Sequence, residues 1–223
     1  MTRAYFIAGT DTEIGKTYAT CALLHAFAAQ GLSAVGMKPV AAGTDADGVN
    51  EDVAALAAAS NLAAPRNLIN PYCFAAPIAP HIAAHEAGRQ ITPAPVQSAL
   101  AELRARADVV VVEGVGGFLV PLGDNYDAAD LACDLALPVI LVVGMRLGCI
   151  NHALLTQEAI TSRGLSLAGW IANGVDPDML RFKENLQALR QRLRAPLLGV
   201  LPHAPGGAQD AAPCLTLPDL SDN

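Results

Sequence analysis

The segment that most restricts the fold is Gly9-Thr10-Asp11-Thr12-Glu13-Ile14-Gly15-Lys16-Thr17. An apolar run, Tyr5–Ala8, precedes it, and a helical pattern over Lys16–Gln30 follows and stops at Gly31, a residue suited to a helix C-terminus. A glycine-containing turn between a strand and a helix gathers free backbone N–H groups at a helix N-terminus, where they attract phosphate. In such a turn Gly15 lets the backbone approach closely. Lys16 offers a point charge to β- and γ-phosphates, and the Thr17 hydroxyl is placed for Mg²⁺. Five residues separate Gly9 from Gly15, one more than the usual spacing, so Thr10 stands where the first glycine is normally found. The competing reading is an ordinary turn with an exposed lysine.

The rest of the chain repeats the strand-then-helix rhythm. Strands are predicted at 5–8, 34–39, 108–113, 139–143, 167–172 and 197–201. Most are apolar throughout rather than alternating, as in strands covered on both faces. Helices are predicted at 16–30, 52–59, 94–107, 128–137, 150–163 and 177–194. This alternation predicts one three-layer α/β domain with a mainly parallel sheet, spanning residues 1–223. Two stretches break the rhythm. Residues 61–95 carry six prolines, which predicts a long irregular segment of functional use. The chain beyond Leu201 is rich in Pro, Gly, Ala and Asp, which predicts weak order from about residue 207 onward.

Composition narrows the function classes. The chain has 223 residues, 52% hydrophobic and 16% charged, so disorder throughout is excluded. A net charge of −7 argues against a broad nucleic-acid surface, which needs clustered Lys and Arg. The five cysteines are odd in number, scattered and without a CxxC pair, as in a reduced cytoplasmic protein with no zinc site. No signal peptide fits the start, and the most apolar stretch, residues 135–145, is shorter than the ~20 residues a membrane helix requires.

Further positions carry candidate chemistry. Glu113 closes the strand Asp108–Glu113 before Gly114-Val115-Gly116-Gly117. A carboxylate at that strand end faces the crevice where ligands bind, as a Mg²⁺ ligand or, alternatively, as a cap on the turn. Lys38, before Pro39, ends another strand and faces the same crevice. There it either neutralises charge on a transferring phosphoryl group or is a solvated lysine. Asp52 is either a second metal ligand or a carboxylate favoured by the helix dipole. Asn173-Gly-Val-Asp176 lacks the lysine of the guanine-reading pattern Asn-Lys-x-Asp and leans toward adenine. His81 and His85 have the spacing of a metal pair but lack the HExxH glutamate, and no zinc is expected there.

GTDTEIGKT, MKPVAAG, NPYCF with PIAPH, VVEGVGGFLVPL, LPVILVVGMRLGCINHALLT and LAGWIANGV follow one another in this order. Together they resemble the dethiobiotin synthetase family, over about residues 4–204. The resemblance implies a P-loop NTPase fold and ATP-dependent conversion of 7,8-diaminopelargonate and CO₂ to dethiobiotin. It implies that Glu13, Ile14, Gly15, Lys16, Thr17 and Tyr18 bind ATP with Asp52 and Glu113, and with Gly114, Val115 and Gly116. It assigns Thr17, Asp52 and Glu113 to Mg²⁺, Lys38 and Lys16 to catalysis, and Asn173, Gly174, Pro202, His203 and Ala204 to the adenine side. Substrate would lie against Thr12, Lys38, Ala42, Pro80 and the helix start Gly148, Cys149, Ile150 and Asn151 of a partner subunit in a homodimer. The last point agrees with the residues, because free N–H groups at a helix start attract an anion such as the substrate carboxylate. Ala42 stands where the family often has a serine whose hydroxyl touches substrate.

Two other classes fit the architecture. Partition or septum-positioning ATPases carry an extra lysine early in the loop, and residues 10–14 here hold none. Cobyrinate-type amide ligases usually carry an appended glutaminase domain, for which 223 residues leave no room.

Overall fold

The computed structural model describes residues 2–203 and 206–218. In chain order the first half contains β1 (Arg3–Gly9), α1 (Lys16–Ala29), β2 (Ala34–Met37), β3 (Val40–Ala42), α2 (Glu51–Ala59), α3 (Arg66–Ile69), β4 (Tyr72–Phe74), α4 (Pro80–Glu86) and α5 (Pro93–Arg104). The second half contains β5 (Val109–Glu113), β6 (Pro121–Gly123), β7 (Tyr126–Asp127), α6 (Ala128–Leu135), β8 (Val139–Gly144), α7 (Cys149–Ser162), β9 (Leu167–Asn173), α8 (Phe182–Arg192), β10 (Leu197–Leu201) and α9 (Ala208–Ala211).

Six strands form one parallel sheet in the order β10-β9-β8-β1-β5-β2. Alternate residues of each strand face opposite layers, and both layers are apolar. From β1, Ala4, Phe6 and Ala8 join a core that includes residues of α4 to α8. Tyr5 and Ile7 join a second core with α1, α2 and α9. Both faces are therefore covered, which is why these strands read as continuous apolar runs. The chain leaves β1 for β2, returns to β5, then crosses to β8 on the other side of β1. That reversal opens a crevice at the C-terminal ends of β1, β5 and β8, the place where open α/β sheets bind ligands.

Three expectations are corrected. The strand predicted over 34–39 ends at Met37, and Val40–Ala42 pairs instead with β4 in a separate two-stranded ribbon. The stretch 61–95 is not irregular throughout. Two of its prolines start helices rather than break them: Pro80 and Pro93 occupy the first turns of α4 and α5, where the missing N–H costs nothing. The chain beyond residue 206 is structured through Pro218. α9 and a 3₁₀ turn at Ala212–Cys214 pack on α1, Leu215 bridges to Gly199, and Thr216 N–H donates to Leu198 O at 2.7 Å. The signal was in α1, whose run KTYATCALLHAFAA is apolar on nearly every side and needs cover beyond the sheet. Among the described residues no helix is long and apolar enough to cross a membrane.

Candidate active site

The loop between β1 and α1 is held from three sides. Thr10 N–H donates to Val142 O at 3.1 Å, tying the loop to β8. The Asn173 side-chain amide, at the end of β9, donates to Ile14 O at 2.8 Å. Ile14 is fully buried and packs so tightly over Gly144 that a Cβ there would lie 2.6 Å from Ile14 Cγ2. Within the loop Glu13 and Gly15 have left-handed φ values of 57° and 75°. Backbone turns of this kind gather N–H groups into an anion-binding hollow. Lys16 runs back across the loop, its Nζ donating to Asp11 O at 2.9 Å. Gly9 leaves it room, since a Cβ there would sit 2.7 Å from Lys16 Cδ. Burial first, and then the charge of Lys38, push the Lys16 ammonium down to about 8.

Register places the second lysine. Met37 of β2 pairs with Val112 of β5, so the next residue on each strand, Lys38 and Glu113, come side by side at the strand ends. The backbone at Lys38 is pinned: its N–H donates to Ile69 O at 2.7 Å, and its carbonyl accepts from the Asn70 amide at 2.6 Å. Asp52 arrives from the first turn of α2. Asn50 caps that helix by accepting from Val53 N–H and reaches Gly43 O at 2.7 Å.

These elements bring Thr17, Lys38, Asp52 and Glu113 into one cluster. Lys38 Nζ lies 2.6 Å from Glu113 Oε1, 2.9 Å from Asp52 Oδ2 and 3.3 Å from Gly114 O. The Thr17 hydroxyl lies 2.7 Å from Asp52 Oδ1 and 2.9 Å from Glu113 Oε1, and its one proton serves either in turn. Lys38 is 3% exposed and Glu113 0%, so neither alternative reading holds: Lys38 is not solvated, and Glu113 does more than cap a turn. Burial works against the charge on Lys38, but Glu113 and Asp52 outweigh it and hold the ammonium above the ordinary lysine value. Burial likewise opposes charge on Asp52, yet Lys38 and the Thr17 hydroxyl hold its carboxyl below the ordinary value. Glu113 Oε2 is buried and has no hydrogen-bond partner.

The remaining expected residues are placed as follows. Gly114 N–H donates to Ile7 O at 3.0 Å, and Val115 packs on the core. Gly116, at φ 61°, adjoins Thr12. Tyr18 follows Thr17 on α1; its hydroxyl is buried without a partner, and burial raises its pKa. Among the residues expected to face adenine, Gly174 N–H donates to Leu201 O at 2.8 Å, while Gly174 O meets His203 Nδ1 at 3.1 Å. Pro202 and His203 are exposed; Ala204 lies outside the described residues. Ala42 ends β3 and Pro80 opens α4, two elements that pack together.

Gly148, at φ 94°, precedes α7, and the first i→i−4 bond runs from His152 N–H to Gly148 O, leaving Ile150 and Asn151 in the open first turn. The Cys149 side chain is buried and its N–H is taken by Arg146 O, so of this group Cys149 presents the least to a ligand. No hydrogen bond or ion pair among the described residues joins 148–151 to the Lys38 cluster. Just before that start, Arg146 forms an ion pair with Asp11 of the loop, which nothing in the sequence signalled.

The whole of this site falls inside a match to the AAA domain family over residues 3–209. The chain is 64% identical to the ATP-dependent dethiobiotin synthetase of Aromatoleum aromaticum, over 94% of this chain and 96% of that one. It is 58% identical to the synthetase of the same name from Nitrosospira multiformis, over 91% and 89%. The chain belongs to the ATP-dependent dethiobiotin synthetase family. Solved structures with the same fold are more distant. The septum site-determining protein MinD of Pyrococcus horikoshii, complexed with Mg-ADP, matches at a TM-score of 0.58 and 17% identity, over 92% of this chain and 83% of that one. Cobyrinic acid a,c-diamide synthase of Mycobacterium smegmatis matches at 0.52 and 16%, over 95% and 91%. The two classes weighed beside the synthetase thus share its architecture, and the sequence relatives separate them from this chain.

Proposed function

We propose that this chain makes dethiobiotin from diaminopelargonate, CO₂ and ATP in biotin biosynthesis, in the cytoplasm, releasing ADP and phosphate. The observation that carries this is the second lysine: Lys38, brought by β2, shares one buried cluster with Thr17 of the phosphate loop. A switch ATPase needs no cation at that strand end, whereas joining an anionic carbamate to a γ-phosphate does.

In this reading the loop residues 13–17 hold the phosphates, with Lys16 on the β- and γ-groups. Mg²⁺ requires few protein ligands when phosphates supply the rest. Two carboxylates, a threonine hydroxyl and the unpartnered Glu113 Oε2 suit it, so Thr17, Asp52 and Glu113 would hold it. Once bound, it would neutralise charge on the phosphates. One amine of the substrate takes up CO₂ as a carbamate. Lys38 orients the carbamate oxygen toward the γ-phosphorus; the new O–P bond forms as the bond to ADP breaks. The second amine then attacks the carbamate carbon, closes the urea ring and expels phosphate. Asn173 and the turn at Pro202–His203 line the adenine side.

The substrate site would be completed in a homodimer by the partner's α7 start. Leu147, 94% exposed, and Leu155, 62% exposed, leave apolar side chains bare around that start, which supports cover by a second copy. The test is incubation with Mg·ATP, bicarbonate and the diamine. The cyclic urea should appear by mass, with one phosphate per product, and omission of the diamine should stop phosphate release. Phosphate release indifferent to the diamine would reject the reading.

A further inference from the structure

The carboxylates suited to the cation are already occupied. Lys38 Nζ touches Glu113 Oε1 and Asp52 Oδ2, and the same Glu113 Oε1 and the other Asp52 oxygen lie within hydrogen-bond reach of Thr17. A divalent cation and an ammonium group cannot share these oxygens at such distances without strong mutual repulsion. The ammonium is also an incomplete partner, because it leaves Glu113 Oε2 buried and unbonded. Its remaining contact is weak, a 3.3 Å approach to Gly114 O, and it sits on a flexible four-carbon stem.

We propose that Lys38 is an internal counter-ion that holds the divalent-cation site in the free enzyme and gives it up when the cation arrives with nucleotide. This rests on the Mg·ATP reading of the crevice and adds a control to it. While Lys38 neutralises Glu113 and Asp52, it is withheld from the phosphoryl-transfer position. Exchange releases the ammonium toward the newly arrived phosphates, the nearest negative charge left to it. Lys38 is thereby coupled to cation occupancy, and the empty site avoids a buried, uncompensated glutamate.

The first test is Mn²⁺ titration without nucleotide, followed by the electron paramagnetic resonance of free Mn²⁺. Lys38→Met should bind Mn²⁺ about tenfold or more tightly than wild type, because a repelling charge has gone and both carboxylates are free. Adding Glu113→Gln to Lys38→Met should abolish that gain. Equal or weaker Mn²⁺ binding by folded Lys38→Met overturns the proposal. The second test uses the wild-type protein, so it stands if the variant does not fold. Acetic anhydride labelling with peptide mass spectrometry should modify Lys38 at least about fivefold faster with Mg·ADP than with EDTA and no nucleotide, since burial in the ion-paired state protects it. An unchanged rate under conditions where Mg·ADP binding is demonstrated overturns the exchange alone. Absence of Mg·ADP binding would instead reject the nucleotide reading beneath it.

Discussion

Gly15→Ala tests how the phosphate loop is locked. Gly15 sits at φ 75°, and an added Cβ would lie 2.2 Å from Asn173 Nδ2. The left-handed backbone costs any side-chain-bearing residue about 1–2 kcal/mol. The clash must also push Asn173 off Ile14 O, breaking a 2.8 Å hydrogen bond at a buried side chain. Stranding such groups costs about 1–3 kcal/mol. The total is about 2–5 kcal/mol, read as a lower urea midpoint in nucleotide-free protein. Gly164→Ala is the control: it shares the 75° φ but would meet nothing within 4 Å, so only the backbone cost of about 1–2 kcal/mol applies. In an Asn173→Ala background Gly15→Ala should fall to that control value, giving a coupling of about 1–3 kcal/mol. If the two alanine variants cost the same in wild type, and Gly15→Ala adds to Asn173→Ala without coupling, the lock between β9 and the loop is refuted.

Three other outcomes are expected. Lys16 titrates at about 8 in the folded, nucleotide-free protein, against an ordinary 10.5. The unfolded chain therefore holds the extra proton between those values, so stability rises with pH across that window, while Mg·ADP affinity falls about tenfold per unit above 8. Affinity that stays flat to pH 9.5 contradicts a charged Lys16 on the phosphates. Lys38→Ala should lower kcat by roughly 10²–10³, the scale for one preorganised electrostatic group; a loss of tenfold or less returns Lys38 to a structural role. Mixing Lys38→Ala with a variant blocked at Asn151 should restore part of the activity through hybrid dimers, and no restoration after confirmed subunit exchange indicates self-contained protomers.

The strands were legible because burial on both faces leaves an uninterrupted apolar run such as Val109–Val112, and the loop was legible because its glycines and Lys16 serve one local purpose. Glu113 was legible as the charge that ends such a run. Lys38 was ambiguous because its meaning is non-local: the carboxylates that bury it come from α2 and β5, distant in sequence. Its backbone is fixed by Ile69 and Asn70, inside the proline-rich stretch read as irregular. The docked tail was missed because its own composition is poor in core residues, while the apolar surface that retains it belongs to α1. The pair between Arg146 and Asp11 arises only once β1 and β8 are adjacent, an adjacency no local pattern encodes.

The most direct test of the central claim follows the oxygen atoms. With ¹⁸O-labelled bicarbonate, Mg·ATP and the diamine, in short incubations, the released phosphate should carry one ¹⁸O per ring closed, because the carbamate oxygen that attacks phosphorus leaves with it. Phosphate free of label, formed alongside authentic cyclic urea, would show that its new oxygen comes from water and that this crevice does not join a carbamate to the γ-phosphate.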